Sequence, residues 1–233
     1  MRPLRFLLLS GVLLAATPAL AAERPIVVEL FTSQGCSSCP PADALLGELT
    51  RRDDVLPLAF HVDYWNRLGW KDPYSSAEAT GRQRAYAKLL ESPTVYTPQM
   101  VVDGRTDVVG SYRDEVLQAI AAARAAAVAV PIDTASDAGG LRVRVGANEA
   151  GAKRATLWLV GFDRHHETRI GAGENGGHTL AEWNIVRGFE SIGDWQGTAY
   201  ETTVPADKLA GYERVALVLQ AASGRILGAT VVR

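Results

Sequence analysis

Cysteine is scarce in this chain, at two residues in 233. So few thiols exclude a disulfide-rich miniprotein, whose fold depends on several bridges. Basic runs are missing as well: 24 Lys and Arg stand against 26 Asp and Glu, a net charge of -2. No stretch could track a phosphate backbone, so nucleic acid is not an expected partner. No apolar run reaches the roughly 20 residues that cross a bilayer, so no membrane span is expected. What is present is 47% hydrophobic and 21% charged residues, with 22 Gly and 11 Pro. That is an ordinary globular composition, which excludes disorder and collagen-like repeats. The length allows one large domain or two small ones.

Arg2 and Arg5 precede an apolar run from Phe6 to Ala16, and Ala19-Leu20-Ala21 closes the segment with small residues at the two positions a signal peptidase reads. Residues 1–21 therefore read as a signal peptide cleaved near Ala21, too short for an anchor. The mature protein is expected in the periplasm or outside the cell, where thiols meet an oxidising environment.

Ile26 to Phe31 is β-branched and aromatic enough for a strand, followed by the turn Thr32-Ser33-Gln34-Gly35. Next comes Cys36-Ser37-Ser38-Cys39-Pro40-Pro41, after which Ala42, Leu45, Leu46 and Leu49 form the apolar stripe of a helix. Val55 to Val62 reads as a buried parallel strand and 63–74 as a loop carrying Tyr64, Trp65 and Trp70. A helix over 76–91, capped by Ser75, follows. Gln99-Met100-Val101-Val102, the turn Asp103-Gly104 and 107–109 predict a hairpin, and Ser111 caps a further helix with Val116, Ala119, Ile120 and Ala123 inward. From Pro131 onward the pattern turns to alternation, at 141–145, 155–162, 199–204, 214–221 and 225–232. These runs predict an all-β, sandwich-like C-terminal domain over 131–233 after a first domain over 22–130. His165, His166, His178, Glu174 and Asn175 fall in or beside a glycine-rich segment, read as a flexible β-loop.

Pro40 and Pro41 lack an N–H and fit cheaply only in the first turn of a helix. With Ser37 or Ser38 as cap, Cys36 lies just outside the helix, where unpaired N–H groups and the helix dipole stabilise a thiolate. Cys36 is then the nucleophile and Cys39 the resolving thiol. A structural disulfide, a zinc site and a Cu(I) site using His61 are the competing readings. The short loop weakens the first, the missing ligands the second, and burial of His61 on a strand the third.

The order of strand, CxxC, helix, strand, helix, Thr97-Pro98, hairpin and helix resembles the thioredoxin fold. Val28-Glu29-Leu30-Phe31-Thr32-Ser33-Gln34-Gly35-Cys36-Ser37-Ser38-Cys39-Pro40-Pro41 and Thr97-Pro98-Gln99-Met100-Val101-Val102-Asp103-Gly104 resemble, more closely, an exported thioredoxin-like family catalogued as domain of unknown function 1223. The resemblance implies an α/β thioredoxin-like N-terminal domain, a cis bond at Pro98, Thr97 facing the disulfide, and Glu29 as the acid behind Cys39. Glu29 stands seven residues before Cys36, whereas thioredoxins have six. The family supplies a fold and no established reaction; the CxxC at the helix start gives the expected activity, thiol-disulfide exchange with protein or small-molecule thiols, with no cofactor or metal expected. A periplasmic copper-handling protein, or an interaction module with an inert disulfide, is the alternative.

Overall fold

The computed structural model describes residues 24–148 and 154–232; the expected signal peptide lies outside the described residues. The chain is a mixed α/β protein with few helices and one large sheet. In order it forms β1 (Ile26–Thr32), α1 (Pro40–Leu49), β2 (Val55–His61), α2 (Ala77–Leu89), β3 (Gln99–Val102), β4 (Thr106–Val109) and α3 (Arg113–Ala125). Then come β5 (Ile132–Asp137), β6 (Gly140–Val145), β7 (Ala155–Arg169), β8 (Thr179–Trp195), β9 (Tyr200–Pro205), α4 (Ala206–Leu209), β10 (Arg214–Ala221) and β11 (Ile226–Val232).

The helix starts follow local chemistry, with small shifts from expectation. Ser76 rather than Ser75 caps α2, its hydroxyl accepting from the Ala79 N–H at 3.0 Å. The Ser75 hydroxyl donates instead to the Asp72 carbonyl. Tyr112 rather than Ser111 precedes α3, whose first turn carries Asp114 and Glu115 at the positive end of the helix dipole.

Eight strands form one sheet in the order β11-β10-β7-β8-β2-β1-β3-β4, and β5-β6-β9 form a second. The expected boundary near residue 131 falls between α3 and β5, but the large sheet runs straight across it. β2 and β8 meet in parallel at Ala59 and Ile185, which covers an edge of β2 that β1 leaves open. β8 itself was not legible: Gly188 and Gly193 interrupt its alternation, and its pairing with β7 shifts register twice. Gly47 on α1 permits the close approach of β8, since a Cβ there would stand 2.5 Å from the Trp183 ring nitrogen.

Burial follows strand parity. Ile26, Val28 and Leu30 of β1 face α1 and α3, packing with Leu45, Leu46, Val116 and Ile120. Val27 and Phe31 face the other way, in a core that draws Tyr86 from α2 and Val160, Phe162, Ala216 and Ile226 from the second half. A third core joins Leu141, Val143 and Val204 of the small sheet to Leu157, Leu159 and Leu217 of the large one. The sandwich expected for 131–233 is thus a three-stranded layer on a sheet that both halves share.

Two buried ion pairs tie the halves together. Arg24 reaches Asp103 with two hydrogen bonds of 2.7 and 2.8 Å and also donates to the Ile226 carbonyl. Arg82 holds both carboxylate oxygens of Glu29 and donates to Gln220, while its guanidinium lies 4.2 Å from the centre of the Phe189 ring. Removing one partner strands the other charge in a low-dielectric interior. Arg82→Met is expected to cost about 3–5 kcal/mol, read by urea unfolding. The shared core also predicts one cooperative transition with coincident fluorescence and circular-dichroism midpoints, whereas independently folding halves would give two.

Candidate functional site

β1 delivers the chain to a tight turn at the carboxyl end of the sheet, where open α/β sheets bind ligands. The Cys36 N–H donates to the Ser33 carbonyl, and Cys39 N–H to the Cys36 carbonyl. Pro40 and Pro41 occupy the first two helical positions, so the helix can begin only after Cys39, and Cys39 itself is its cap residue. This moves the cap from the expected Ser37 or Ser38. Cys36 still lies one turn outside the helix.

The two cysteines form a disulfide with Cα atoms 5.4 Å apart. Ser38 Oγ is 3.3 Å from Cys36 Sγ and donates toward the Thr97 carbonyl at 3.5 Å. The Thr97-Pro98 bond is cis, as the resemblance implied. Thr97 Oγ1 accepts from Trp65 Nε1 at 2.9 Å, so this residue pair and an aromatic from the loop after β2 sit beside the CxxC turn.

Glu29 is elsewhere. It shares the face of Val27 and Phe31, opposite α1, and its carboxylate is engaged by Arg82 and the Tyr86 hydroxyl. None of its hydrogen-bond partners is a cysteine. The carboxyl on the cysteine side is Asp43, which sequence reasoning missed. Asp43 follows Cys39 by four residues, the spacing that puts two side chains on one helix face. The signal was therefore present in Cys39-Pro40-Pro41-Ala42-Asp43.

Asp43 opens onto a buried polar cluster. Thr32 donates to it at 2.9 Å, and Thr32 pairs in register with His61 on β2. His61 Nδ1 lies 2.7 Å from Asp72 Oδ2, and its Nε2 faces Glu182 of β8 at 3.8 Å with no hydrogen-bond partner. Gln34 links the cluster to the CxxC turn: its side chain donates to Glu182, accepts from Trp70 Nε1, and its backbone N–H donates to Asp72. Burial would lower the His61 pKa, but the Asp72 charge and hydrogen bond, with Glu182 and Asp43, raise it to about 9. Burial pushes Asp43 up to about 7 despite the opposing pull of His61, and it also raises Glu182. Burial pushes Asp72 up, but the His61 charge and hydrogen bond, together with the N–H groups of Gln34 and Tyr74, hold it below its ordinary value. Among the described residues no group of His, Cys, Asp and Glu is arranged to hold a metal ion.

The second half reaches this site through the tip between β7 and β8. Asn175 Nδ2 donates to the carbonyls of Gln34 and Cys36 at 2.9 and 3.0 Å. Glu174 accepts from the N–H and hydroxyl of Ser37 at 3.1 and 2.7 Å. The glycine-rich segment read as a flexible loop is thus docked on the CxxC turn. His165 and His166 are not in it but in β7, the first against Trp183 and the second stacked on Tyr74. Tyr64 hydrogen-bonds Gln83 on α2.

The family described as a protein of unknown function, DUF1223, matches residues 27–220. The chain belongs to the DUF1223 family. A crystal structure of an Agrobacterium tumefaciens protein is 33% identical and superposes with a TM-score of 0.79, over 89% of this chain and 93% of that one. HBP35 of Porphyromonas gingivalis has a similar fold at 13% identity, with a TM-score of 0.54 over 90% of this chain and 75% of that one. No curated protein matches. As a DUF1223 member the chain has no helix, among the described residues, long and apolar enough to cross a membrane.

The cluster predicts a pH dependence of folding with a definite sign. Between its ordinary 3.8 and about 7, Asp43 holds a proton when folded that it releases when unfolded. His61 does the same between 6.5 and about 9. In both windows the folded state binds more protons, so stability falls as pH rises. Asp72 acts oppositely, adding stability above 3.8 that is lost as pH falls through its lowered value. Urea unfolding of the oxidised protein should show a loss of several kcal/mol from about pH 5 to about pH 9. In Asp43→Asn that loss should shrink; an unchanged slope would separate Asp43 from the titration.

Proposed function

We propose that the chain is an exported thiol-disulfide oxidoreductase with a thioredoxin-like N-terminal unit, acting on protein or small-molecule thiols. The observation that carries this reading is the Cys36–Cys39 disulfide at the mouth of α1, with Cys39 as its cap residue and Cys36 one turn outside. Further support comes from the element order β1-α1-β2-α2-β3-β4-α3 and from Thr97 beside the CxxC turn.

The exchange proceeds as follows. A partner thiolate attacks Cys36 Sγ; the Sγ–Sγ bond breaks and its electron pair leaves on Cys39, giving a mixed disulfide and a Cys39 thiolate. A second partner thiolate attacks the partner sulfur of the mixed disulfide and expels Cys36. The partner dithiol has become a disulfide, and the protein has gained the two electrons and, after proton uptake, two thiols. The reverse sequence reduces a partner disulfide. Asp43, on the helix face of Cys39 and with a carboxyl that titrates near neutrality, is the group suited to exchange a proton with the Cys39 sulfur. Secretion after cleavage near Ala21 belongs to the same proposal, since an oxidised CxxC persists where the compartment is oxidising.

The test is the alkylation rate of each thiol against pH in the single-cysteine variants. The Cys36 thiol of Cys39→Ser should titrate at least one unit below about 8.5, because the helix terminus stabilises its thiolate. Cys39→Ser should attack a peptide disulfide and accumulate the mixed disulfide, releasing the peptide's other sulfur as a thiolate, and Cys36→Ser should lose at least about 100-fold in exchange rate. Two unperturbed thiols and no exchange would leave an inert structural disulfide.

A further inference from the structure

Exchange needs an external sulfur in contact with Cys36 or Cys39, yet both cysteines are 0% exposed although Ser37 and Ser38 between them are open to solvent. Something must leave before the reaction starts. The tip between β7 and β8 has the features of that element. It is a self-contained turn: Ile170 N–H donates to the His178 carbonyl, Gly177 N–H to Ile170, Gly176 N–H to Gly173 and His178 N–H to Asn175. Gly173 takes φ +76°, and a Cβ there would meet Trp70 at 3.3 Å, so the tip rests on an aromatic without being threaded into the core. Its hydrogen bonds to the CxxC turn are the two from Asn175 and the two accepted by Glu174. Asn175 is 6% exposed while the residues on either side of it are open, so its amide is inserted into the turn.

We infer that this tip is a gate over the disulfide, with Asn175 as the residue that positions it, and that the gate selects extended polypeptides over thiols that lack amides. The inference rests on the oxidoreductase reading and deepens it. When the tip lifts, the Gln34 carbonyl loses the Asn175 donor and the Cys36 carbonyl keeps only the Cys39 N–H, and an acceptor left short of its donor in a confined site is unfavourable. A polypeptide laid across the turn restores those bonds with its own N–H groups; a simple dithiol cannot. Asn175 therefore occupies the position that a substrate's backbone amide would take. Glu174 adds an outer clasp on Ser37 that solvent weakens, so it contributes less than Asn175.

The experiment follows reduction of the oxidised full chain in two ways, with dithiothreitol, which has no amide, and with an extended dithiol peptide. Wild type, Asn175→Ala, Asn175→Asp and Glu174→Ala are compared, with the near-ultraviolet circular dichroism and thermal midpoint of each recorded. Losing two hydrogen bonds should raise the dithiothreitol rate about tenfold in Asn175→Ala. Asn175→Asp keeps the size but not the donor and should do the same, and Glu174→Ala should give a few-fold increase. The peptide rate should change less, so the wild-type preference for peptide narrows. Equal dithiothreitol rates in wild type and the Asn175 variants would overturn the gate, as would a disulfide that stays unreduced in both. Glu174 is exposed, so Glu174→Ala keeps the inference open to refutation should an Asn175 variant misfold. Catalytic turnover separates the two readings. Faster dithiothreitol reduction with no transfer to any peptide disulfide would sustain the gate and remove the oxidoreductase; unchanged rates with intact turnover would do the reverse.

Discussion

β2 would be the open edge of a four-stranded sheet if β8 did not pair with it, and the contact at Ala59 and Ile185 governs most of what surrounds the disulfide. That pairing brings Glu182 to His61, lays Trp183 against Gly47 of α1 and carries the end of the β7–β8 hairpin to the CxxC turn. It also lets α2 stand on a core made from both halves. An edge strand covered in this way needs no charged residues to keep other strands off. β2 can consequently be apolar along its length, and Val-Leu-Pro-Leu-Ala-Phe leads to one polar residue, His61, at the end nearest the CxxC turn.

Two buried ionic groups then sit on opposite faces of β1, with different character. Glu29 and Arg82 form a two-pronged pair with Tyr86 and Gln220 filling the remaining sites. Fully satisfied, it fixes one packing of α2 against the second half, while adding little net stability because two charges had to leave water. The group around His61 is incompletely satisfied: Nε2 has no hydrogen bond, and Asp43 and Glu182 are driven toward their protonated forms. A network with spare proton capacity is costly as scaffold and useful as chemistry. The satisfied pair is thus structural, and the strained group lies on the side of the cysteines.

The CxxC, the hairpin at Asp103-Gly104 and the helices were legible because each depends on neighbours in sequence. Prolines announced the start of α1, though not which residue would cap it. Glu29 shows where resemblance misled. Strand parity sets it with Val27 and Phe31, away from Thr32, and one residue more or less before the cysteines reverses the face. Asp43 was available from the four-residue helix rule. Glu182 was not, because it lies on a strand whose glycines and register shifts erase the alternation by which strands are recognised. The glycines around Glu174 and Asn175 predict a loop. Nothing within their segment says that a hairpin of 15 and 17 residues will carry it across the molecule.

Gln34 is where these lines converge. Its carbonyl receives Asn175, its N–H binds Asp72, and its side chain bridges Trp70 and Glu182. A shift of the tip must be felt at the Gln34 carbonyl, and through one residue of backbone at the acid cluster, since the turn between Thr32 and Cys36 is short and hydrogen-bonded at both ends. The tip docked on the CxxC turn and the buried acid cluster are therefore joined through the same peptide segment. Because Asn175 binds main-chain carbonyls, this coupling depends on turn geometry and uses neither the Ser37 nor the Ser38 side chain, both of which are exposed. The surface that a partner meets can then vary in sequence while the connection beneath it stays the same.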